Sequence, residues 1–87
     1  MVATTPAELI IEYIRTGVLR DSDAEVGLDT PLVSSGLIDS FALVDILAEV
    51  EDVTGLRIPA NKVAPRDMDT VALMLATAKR LGRSRQE

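Results

Sequence analysis

The strongest constraint on the fold is the spacing of apolar residues after position 42. Leucine, isoleucine and valine recur there at intervals of three and four residues, at Leu43, Ile46, Leu47, Val50 and Val53. That interval is the period of one face of an α-helix. Gly55 follows, and glycine is common just beyond a helix C-terminus. The pattern predicts a helix over about residues 40–54 with one buried face, and therefore a protein built by packing helices together.

A second amphipathic segment opens the chain. Thr5, Pro6 and Glu8 are a capping threonine, a proline for the first helical position and a glutamate placed to complete a capping box. Apolar residues then recur at helical spacing, at Leu9, Ile10, Tyr13 and Ile14. These features predict a helix over about residues 5–18.

A third apolar stripe lies near the end of the chain and follows a cluster of capping residues at 67–70. Its members are Val71, Met74, Leu75, Ala78 and Leu81. Lys79 and Arg80 suit a helix C-terminus because cations there complement the helix dipole. We expect a helix over about residues 70–81, followed by a frayed tail at 82–87.

The remaining segments are connections. Residues 19–38 are rich in Asp, Ser, Gly and Pro, which is typical of a loop. Apolar side chains in this loop are expected to anchor it to the core: Val26, Leu28, Leu32, Val33, Leu37 and Ile38. Residues 60–64 are expected to form a short helix that Pro65 ends. The predicted fold is all-α, a single domain over residues 1–87: a small four-helix bundle of three main helices and one short helix, with a long loop between the first two main helices.

The composition excludes several functions. The chain has no cysteine and no histidine, so it offers no disulfide, no zinc ligands of these types and no serine–histidine or cysteine–histidine pair. A net charge of -5 argues against nucleic-acid binding and favours basic partner surfaces. No apolar run is long enough for membrane insertion or a signal peptide. We expect a cytoplasmic monomer, and the initiating Met and short ends favour a free-standing protein.

The helix predicted over residues 40–54 has a second face. Phe41, Val44 and Ala48 are spaced by three and four residues but lie outside the core stripe. An acidic edge runs beside them, formed by Asp45, Glu49 and Asp52, with Glu51 close by. One interpretation is a solvated helix face with a wide apolar stripe. The other is a docking surface on which apolar contacts hold a basic partner and the acids steer it.

Ser40 begins the same helix, directly after Asp39. Either residue can simply cap the helix, because Asp and Ser are common caps. A phosphate attached to Ser40 would also be stabilised, because a helix N-terminus offers N–H groups and the positive end of the dipole. A catalytic serine is disfavoured by the absence of a histidine base. The residues alone leave three possibilities: an acidic interaction domain with a capping serine, a regulatory phosphorylation site, or a serine that carries a covalent group.

A family resemblance favours the last of these. The stretch Gly36–Phe41, GLIDSF, is close to the pattern G-x-x-D-S-[LMF] of the acyl carrier protein superfamily, which includes peptidyl and D-alanyl carrier proteins. The chain also resembles this family at Thr30–Leu32, at residues 51–59 and at Asp69–Val71. The resemblance extends roughly from residue 10 to residue 81.

The resemblance implies a four-helix bundle whose Ser40 is esterified by 4'-phosphopantetheine, transferred from coenzyme A by a magnesium-using phosphopantetheinyl transferase. The thiol of this arm would carry an acyl or aminoacyl group as a thioester. Asp39 matches an acidic residue that contacts the transferase. Residues matching the partner-recognition helix are Phe41, Val44, Asp45, Ala48, Glu51 and Asp52. The implied partners are this transferase, an acyl or aminoacyl ligase and downstream synthase or transferase enzymes, and the chain itself would be non-catalytic.

Some positions differ from fatty-acid-synthesis carriers. Phe41 stands where those proteins usually have leucine, Ala42 where they are often acidic, and Met68 where phenylalanine is frequent. Thr54 and Gly55 are closer to polyketide-type carriers. These differences favour a specialised pathway, such as polyketide, nonribosomal peptide or aminoacyl transfer, with fatty-acid synthesis as the alternative.

Overall fold

The computed structural model describes residues 5–84 and shows a mostly helical fold. Within that range, three α-helices, α1 (Pro6–Tyr13), α2 (Ala42–Thr54) and α3 (Val71–Leu81), pack against one another. Two short strands, β1 (Leu56–Arg57) and β2 (Arg83–Ser84), pair in antiparallel fashion. No helix in this part of the chain is long and apolar enough to cross a membrane.

Helix α1 begins with the capping box that its sequence indicates. The Thr5 hydroxyl accepts the Glu8 N–H at 3.2 Å, and the Glu8 carboxylate accepts the Thr5 N–H at 3.0 Å. The helix then continues as a π-helical segment, Ile14–Val18, in which the Leu19 N–H reaches the Ile14 carbonyl oxygen at 2.8 Å. Arg20 adopts a left-handed conformation, with φ of 53°, and the chain leaves the helix there.

Helix α2 starts two residues later than the start predicted at residue 40. The Ala42 N–H is taken by Asp39, whose carboxylate oxygen lies 3.1 Å away and whose carbonyl oxygen lies 3.3 Å away. This pairing makes residues 39–42 a turn, because an Asp side chain competes with the helical hydrogen-bond ladder. Ser40 therefore lies ahead of α2 rather than in its first turn. Gly55 ends the helix with φ of 71°, a conformation that glycine adopts readily.

The short helix expected at residues 60–64 is present as a single 3₁₀ turn, Ala60–Lys62, which ends before Pro65. A second 3₁₀ turn, Pro65–Met68, was not predicted, and Pro65 opens it. Proline is tolerated in a first turn, where its missing N–H would have no intrahelical partner. The Asp67 carboxylate accepts the Ala64 N–H at 2.9 Å and fixes this turn.

The expectation of a frayed tail at 82–87 was wrong for its first residues. In the register of the two strands, Leu56 pairs with Ser84 and Arg57 pairs with Arg83. The chain after α3 is therefore held against β1, the strand that follows α2. Two-residue strands carry too little alternation to be recognised in a sequence. The rest of the predicted tail, residues 85–87, lies outside the described residues.

The core is aliphatic and sulfur-containing. Its fully buried members come from all three helices, the long loop and the 3₁₀ segment: Ile10, Ile14, Leu32, Ile46, Val50, Met68, Val71 and Met74. Leu32 and Ile38 anchor the long loop as expected. The expected anchoring by Leu28 and Leu37 was wrong, because these side chains are 48% and 45% exposed. Leu28 holds the loop through its backbone instead, since its carbonyl oxygen accepts the Ala72 N–H at 3.0 Å.

Gly82 is required where α3 meets the strand pair. A Cβ atom at this position would clash with the carbonyl oxygen of Ala78 and would lie 2.9 Å from the side chain of Leu56. Gly82→Ala should therefore lower the free energy of unfolding by about 1–3 kcal/mol, because backbone has to shift to make room. Denaturant unfolding measures the loss. Gly27→Ala is the matched control, since a Cβ there meets only the Thr30 hydroxyl at 3.7 Å. Equal stability of the two variants would contradict this role of Gly82.

Candidate functional site

Ser40 is exposed in the turn that precedes α2. Its carbonyl oxygen accepts the Leu43 N–H at 3.3 Å. Its hydroxyl has no hydrogen-bond partner among residues 5–84, and neither have the N–H groups of Ser40 and Phe41. Ser40 is therefore not a side-chain cap, and the carboxylate of Asp39 performs that task for Ala42. The turn presents a free hydroxyl together with two free N–H groups.

An apolar cavity of about 210 Å³ opens beside Ser40. One wall is formed by α2 and the other by the 3₁₀ segment, and the residues that line it with Ser40 are Leu43, Val44, Leu47, Ala60, Val63, Ala64, Pro65 and Met68. No charged side chain lines it. Its volume is below the roughly 300–1,000 Å³ of pockets for drug-sized ligands, and its lining is suited to contact with an apolar group.

Asp69 connects the long loop to the start of α3. One carboxylate oxygen accepts the N–H groups of Val33 and Ser34, both at 2.8 Å, and the other accepts the Ser34 hydroxyl at 2.8 Å. The Asp69 carbonyl oxygen also accepts the Leu32 N–H at 2.8 Å. The backbone and side-chain hydrogen bonds of Ser34, with smaller contributions from Val33 and Leu32, lower the pKa of Asp69 below its ordinary value of 3.8 despite opposing desolvation.

The loop between this contact and Ser40 is compact. The Ile38 N–H returns to the Leu32 carbonyl oxygen at 3.0 Å, and the Gly36 N–H bonds to the Val33 carbonyl oxygen at 3.0 Å. Gly36 has φ of 80°, which favours glycine at this tight turn. The Ser35 hydroxyl donates to the Pro31 carbonyl oxygen at 2.6 Å. The chain thus enters the Asp39–Ser40 turn directly from a braced loop whose two ends are buried at Leu32 and Ile38.

The second face predicted for α2 is present as an exposed surface. Phe41 is 88% exposed and Val44 is 72% exposed, and Asp45, Ala48 and Asp52 are also exposed. Phe41 lies in the turn with Ser40, so the apolar part of this surface begins beside the free hydroxyl. An aromatic side chain this exposed contributes little to the core, and exposed apolar groups beside a reactive site are typical of protein contacts.

The acidic residues of α2 have different surroundings. Asp45 and Glu49 lie near the phenol of Tyr13 on α1. Burial raises the pKa of Tyr13 above its ordinary value of 10.0, and the negative charges of Asp45 and Glu49 raise it further. Glu51 is half-buried, and its carboxylate accepts the Ile58 N–H at 2.7 Å, so it closes the end of α2 onto the following segment. Glu51 was predicted to bind partners, but its carboxylate is engaged in a hydrogen bond within the protein.

Two residues near the site were missed by sequence reasoning. Asp69 was considered only as a helix cap. Its carboxylate in fact accepts hydrogen bonds from Val33 and Ser34, which precede it by 36 and 35 positions in the sequence. Tyr13 was considered only as a core residue, although its phenol faces the acids of α2. The sequence contains no signal for either contact, because both depend on how distant segments pack.

The described part of the chain is thus a small helical protein with an exposed serine in the turn before α2, beside an apolar cavity. A family model described as phosphopantetheine attachment site matches residues 8–77. The match spans most of the chain, so the chain belongs to this family, and the resemblance to the acyl carrier protein superfamily is confirmed. Comparison with curated proteins and with solved structures gave no match.

Members of this family carry a covalently attached 4'-phosphopantetheine group. Carrier domains of this kind are modified by phosphopantetheinyl transferases, interact with synthase enzymes and are generally non-catalytic tethers. The residues present fit such a group, because Ser40 offers an exposed, unpaired hydroxyl for esterification and free N–H groups beside it for a phosphate.

The contact of Asp69 predicts a pH dependence of stability. Because its folded-state pKa is lowered, the charged carboxylate contributes stability that is fully present above the unfolded-state pKa and is lost as the pH falls through the folded-state pKa. Asp69→Asn removes this titration. Below about pH 4, the free energy of unfolding should therefore fall less steeply with pH in the variant than in the wild type. Denaturant unfolding at a series of pH values measures both slopes, and parallel curves would contradict the assignment.

Proposed function

We propose that Ser40 is the attachment site of 4'-phosphopantetheine and that the chain shuttles an acyl or aminoacyl group between partner enzymes. The observation that carries this proposal is the exposed, unpaired Ser40 hydroxyl beside an apolar cavity, within the segment that the family model matches. The thiol of the attached arm supplies the reactive group that this cysteine-free chain lacks, and it holds the cargo as a thioester. The chain itself is a tether and performs no catalysis.

The chain's own residues prepare Ser40 for modification without activating it. The hydroxyl oxygen forms a bond to the pantetheine-side phosphorus of coenzyme A, while the pyrophosphate P–O bond breaks and adenosine 3',5'-bisphosphate leaves with its electron pair. The transferase has to accept the hydroxyl proton, because no residue in the described range 5–84 lies within hydrogen-bond distance of this oxygen. Asp39 orders the turn through Ala42 and stands next to Ser40, where it is placed to contact the transferase or its magnesium ion.

The cargo belongs to a specialised pathway, with a polyketide, nonribosomal peptide or aminoacyl unit as the transferred group. Support comes from Phe41, Ala42 and Met68, which differ from the residues usual in fatty-acid-synthesis carriers. A fatty-acid-synthesis carrier remains the alternative reading of the same site.

Partner enzymes dock on the exposed surface that begins at Phe41 and continues along α2 through Val44, Asp45, Ala48 and Asp52. Charge supports a basic partner surface, because eleven of the 14 acidic residues precede position 53 and only two of the nine basic residues do. Glu51 contributes less directly, since its carboxylate is bonded to the Ile58 N–H. The apolar members provide contact area, and the acids favour rapid association.

Ser40→Ala should abolish modification. Intact-protein mass spectrometry after incubation with coenzyme A and a broad-specificity phosphopantetheinyl transferase should show a mass gain equal to the arm in the wild type and none in the variant. Because the Ser40 hydroxyl makes no hydrogen bond in the protein, the variant should lose less than about 0.5 kcal/mol of stability. Ser35→Ala is the matched control and should still be modified. No gain in the wild type, under conditions that modify another carrier, would overturn the proposal.

Asp45→Lys should weaken recognition by the transferase. Reversing one charge at a partner surface is expected to lower kcat/KM by about two- to tenfold at low salt, mainly through slower association. The effect should shrink as added salt screens the charges. Glu25→Lys changes the net charge equally at an exposed position of the long loop, outside α2, and serves as the control. Equal rates for the two variants would show that Asp45 is only solvated surface.

A further inference from the structure

We infer that Asp69 is a positioning residue for the modification of Ser40: its carboxylate holds the loop that leads into Ser40 and thereby fixes the surface that the transferase recognises. This inference rests on the proposed function and adds a residue that is distant from Ser40 in sequence. It concerns recognition and not the chemical step, because Asp69 reaches Ser40 only through the loop.

The first support is the number and direction of the contacts. Both carboxylate oxygens of Asp69 are used, and three donors converge on them from Val33 and Ser34 at 2.8 Å. The backbone of the same residue also accepts the Leu32 N–H at 2.8 Å. Hydrogen bonds to an ionised acceptor are stronger than those between neutral groups. Three consecutive loop residues are therefore fixed to one point at the start of α3.

The second support is that Asp69 is connected to both walls of the cavity, by sequence to one and by hydrogen bonds through the loop to the other. Met68, the preceding residue, is buried and lines the cavity from the 3₁₀ side. The loop that Asp69 holds runs through the Ile38–Leu32 hydrogen bond into Asp39 and Ser40, which lines the cavity from the other side. Asp69 thus joins the segment that presents Ser40 to the segment that faces it.

The third support is that no hydrogen bond within the described residues fixes the Ser40 side chain. Its hydroxyl has no hydrogen-bond partner in the described range, and the neighbouring Phe41 side chain is 88% exposed. The placement of both groups therefore depends on the backbone that leads into them. Without the Asp69 carboxylate, the N–H groups of Val33 and Ser34 lose their acceptor and the loop can take other conformations.

The expected kinetic signature follows from this arrangement. A loosened recognition surface reduces the fraction of molecules that can bind the transferase, which raises the apparent KM. Once bound, Ser40 reacts in the active site of the transferase, so kcat should change little. A general loss of stability would instead leave both parameters unchanged for the molecules that are folded.

The experiment compares transferase kinetics, with coenzyme A as the donor substrate, for the wild type, Asp69→Ala, Asp69→Asn, Ser34→Ala and Thr70→Ala. Thr70→Ala is the matched control, because Thr70 caps α3 by accepting the Leu73 N–H at 3.0 Å and neighbours Asp69 without bonding to the loop through its side chain. All variants are assayed at a temperature where circular dichroism shows them folded.

Asp69→Ala should lower kcat/KM by about ten- to a hundredfold, through KM, as expected when only about 1–10% of the molecules hold the binding-competent loop conformation. Asp69→Asn keeps one oxygen for the Val33 and Ser34 N–H groups and should recover part of the loss. Ser34→Ala removes a single hydrogen bond, so it should show a smaller loss and remains informative if Asp69→Ala fails to fold.

Two results would overturn the inference. If Asp69→Ala and Ser34→Ala match Thr70→Ala in KM and kcat, Asp69 serves stability alone. If the loss lies in kcat with KM unchanged, Asp69 does not act through recognition. A wild-type chain that is never modified would overturn the proposed function, and this inference with it, which distinguishes that failure from the other two.

Discussion

The structure depends on how its long connection satisfies its backbone polar groups. Residues between Leu19 and Phe41 form no helix or strand, yet the loop packs on the core through Leu32 and Ile38. Buried or partly buried N–H groups need hydrogen-bond acceptors. A loop lacks the regular backbone hydrogen bonds of a helix or sheet, so its N–H groups have to bond to other parts of the protein. Asp69 supplies acceptors for three successive residues of this loop. Because the loop ends in the turn of Ser40, the same hydrogen bonds that keep it ordered also set where the site lies.

The helices were predictable from the sequence because their information is local. The stripe from Leu43 to Val53, the capping box at Thr5 and the glycine after Thr54 each act within a few residues, and the structure places helices where these signals lie. The predicted start of α2 at residue 40 failed for an equally local but subtler reason. Asp39 uses its side chain to take the Ala42 N–H, and a pattern of apolar residues does not reveal that competition.

The parts that could not be predicted are non-local. Pairing of β1 with β2 joins two dipeptides separated by α3 and requires Gly82 for the close approach. The contact of Asp69 with Ser34, and that of Glu51 with Ile58, use side chains that a sequence treats as ordinary surface acids. Ser40 could be selected as the candidate attachment site because its motif is contiguous in the sequence. Its free hydroxyl and the cavity beside it could not be predicted, since both depend on the packing of α2 against the 3₁₀ segment.

The described surroundings of Ser40 agree with the proposed modification by a partner enzyme and offer no base for a reaction of the serine by itself. A serine hydroxyl is a weak nucleophile without a base, and none of the side chains in the described range bonds to Ser40. Under the proposed function, modification of Ser40 therefore requires a partner enzyme that supplies the base. That enzyme has to recognise the surface around Ser40. Under the proposed function, the exposed side chains of Phe41 and Val44 belong to that surface, and the hydrogen-bonded loop before them fixes its position. A recognition surface whose shape is present before the partner arrives binds more tightly than one that is ordered on contact, because the entropy cost of ordering is already met.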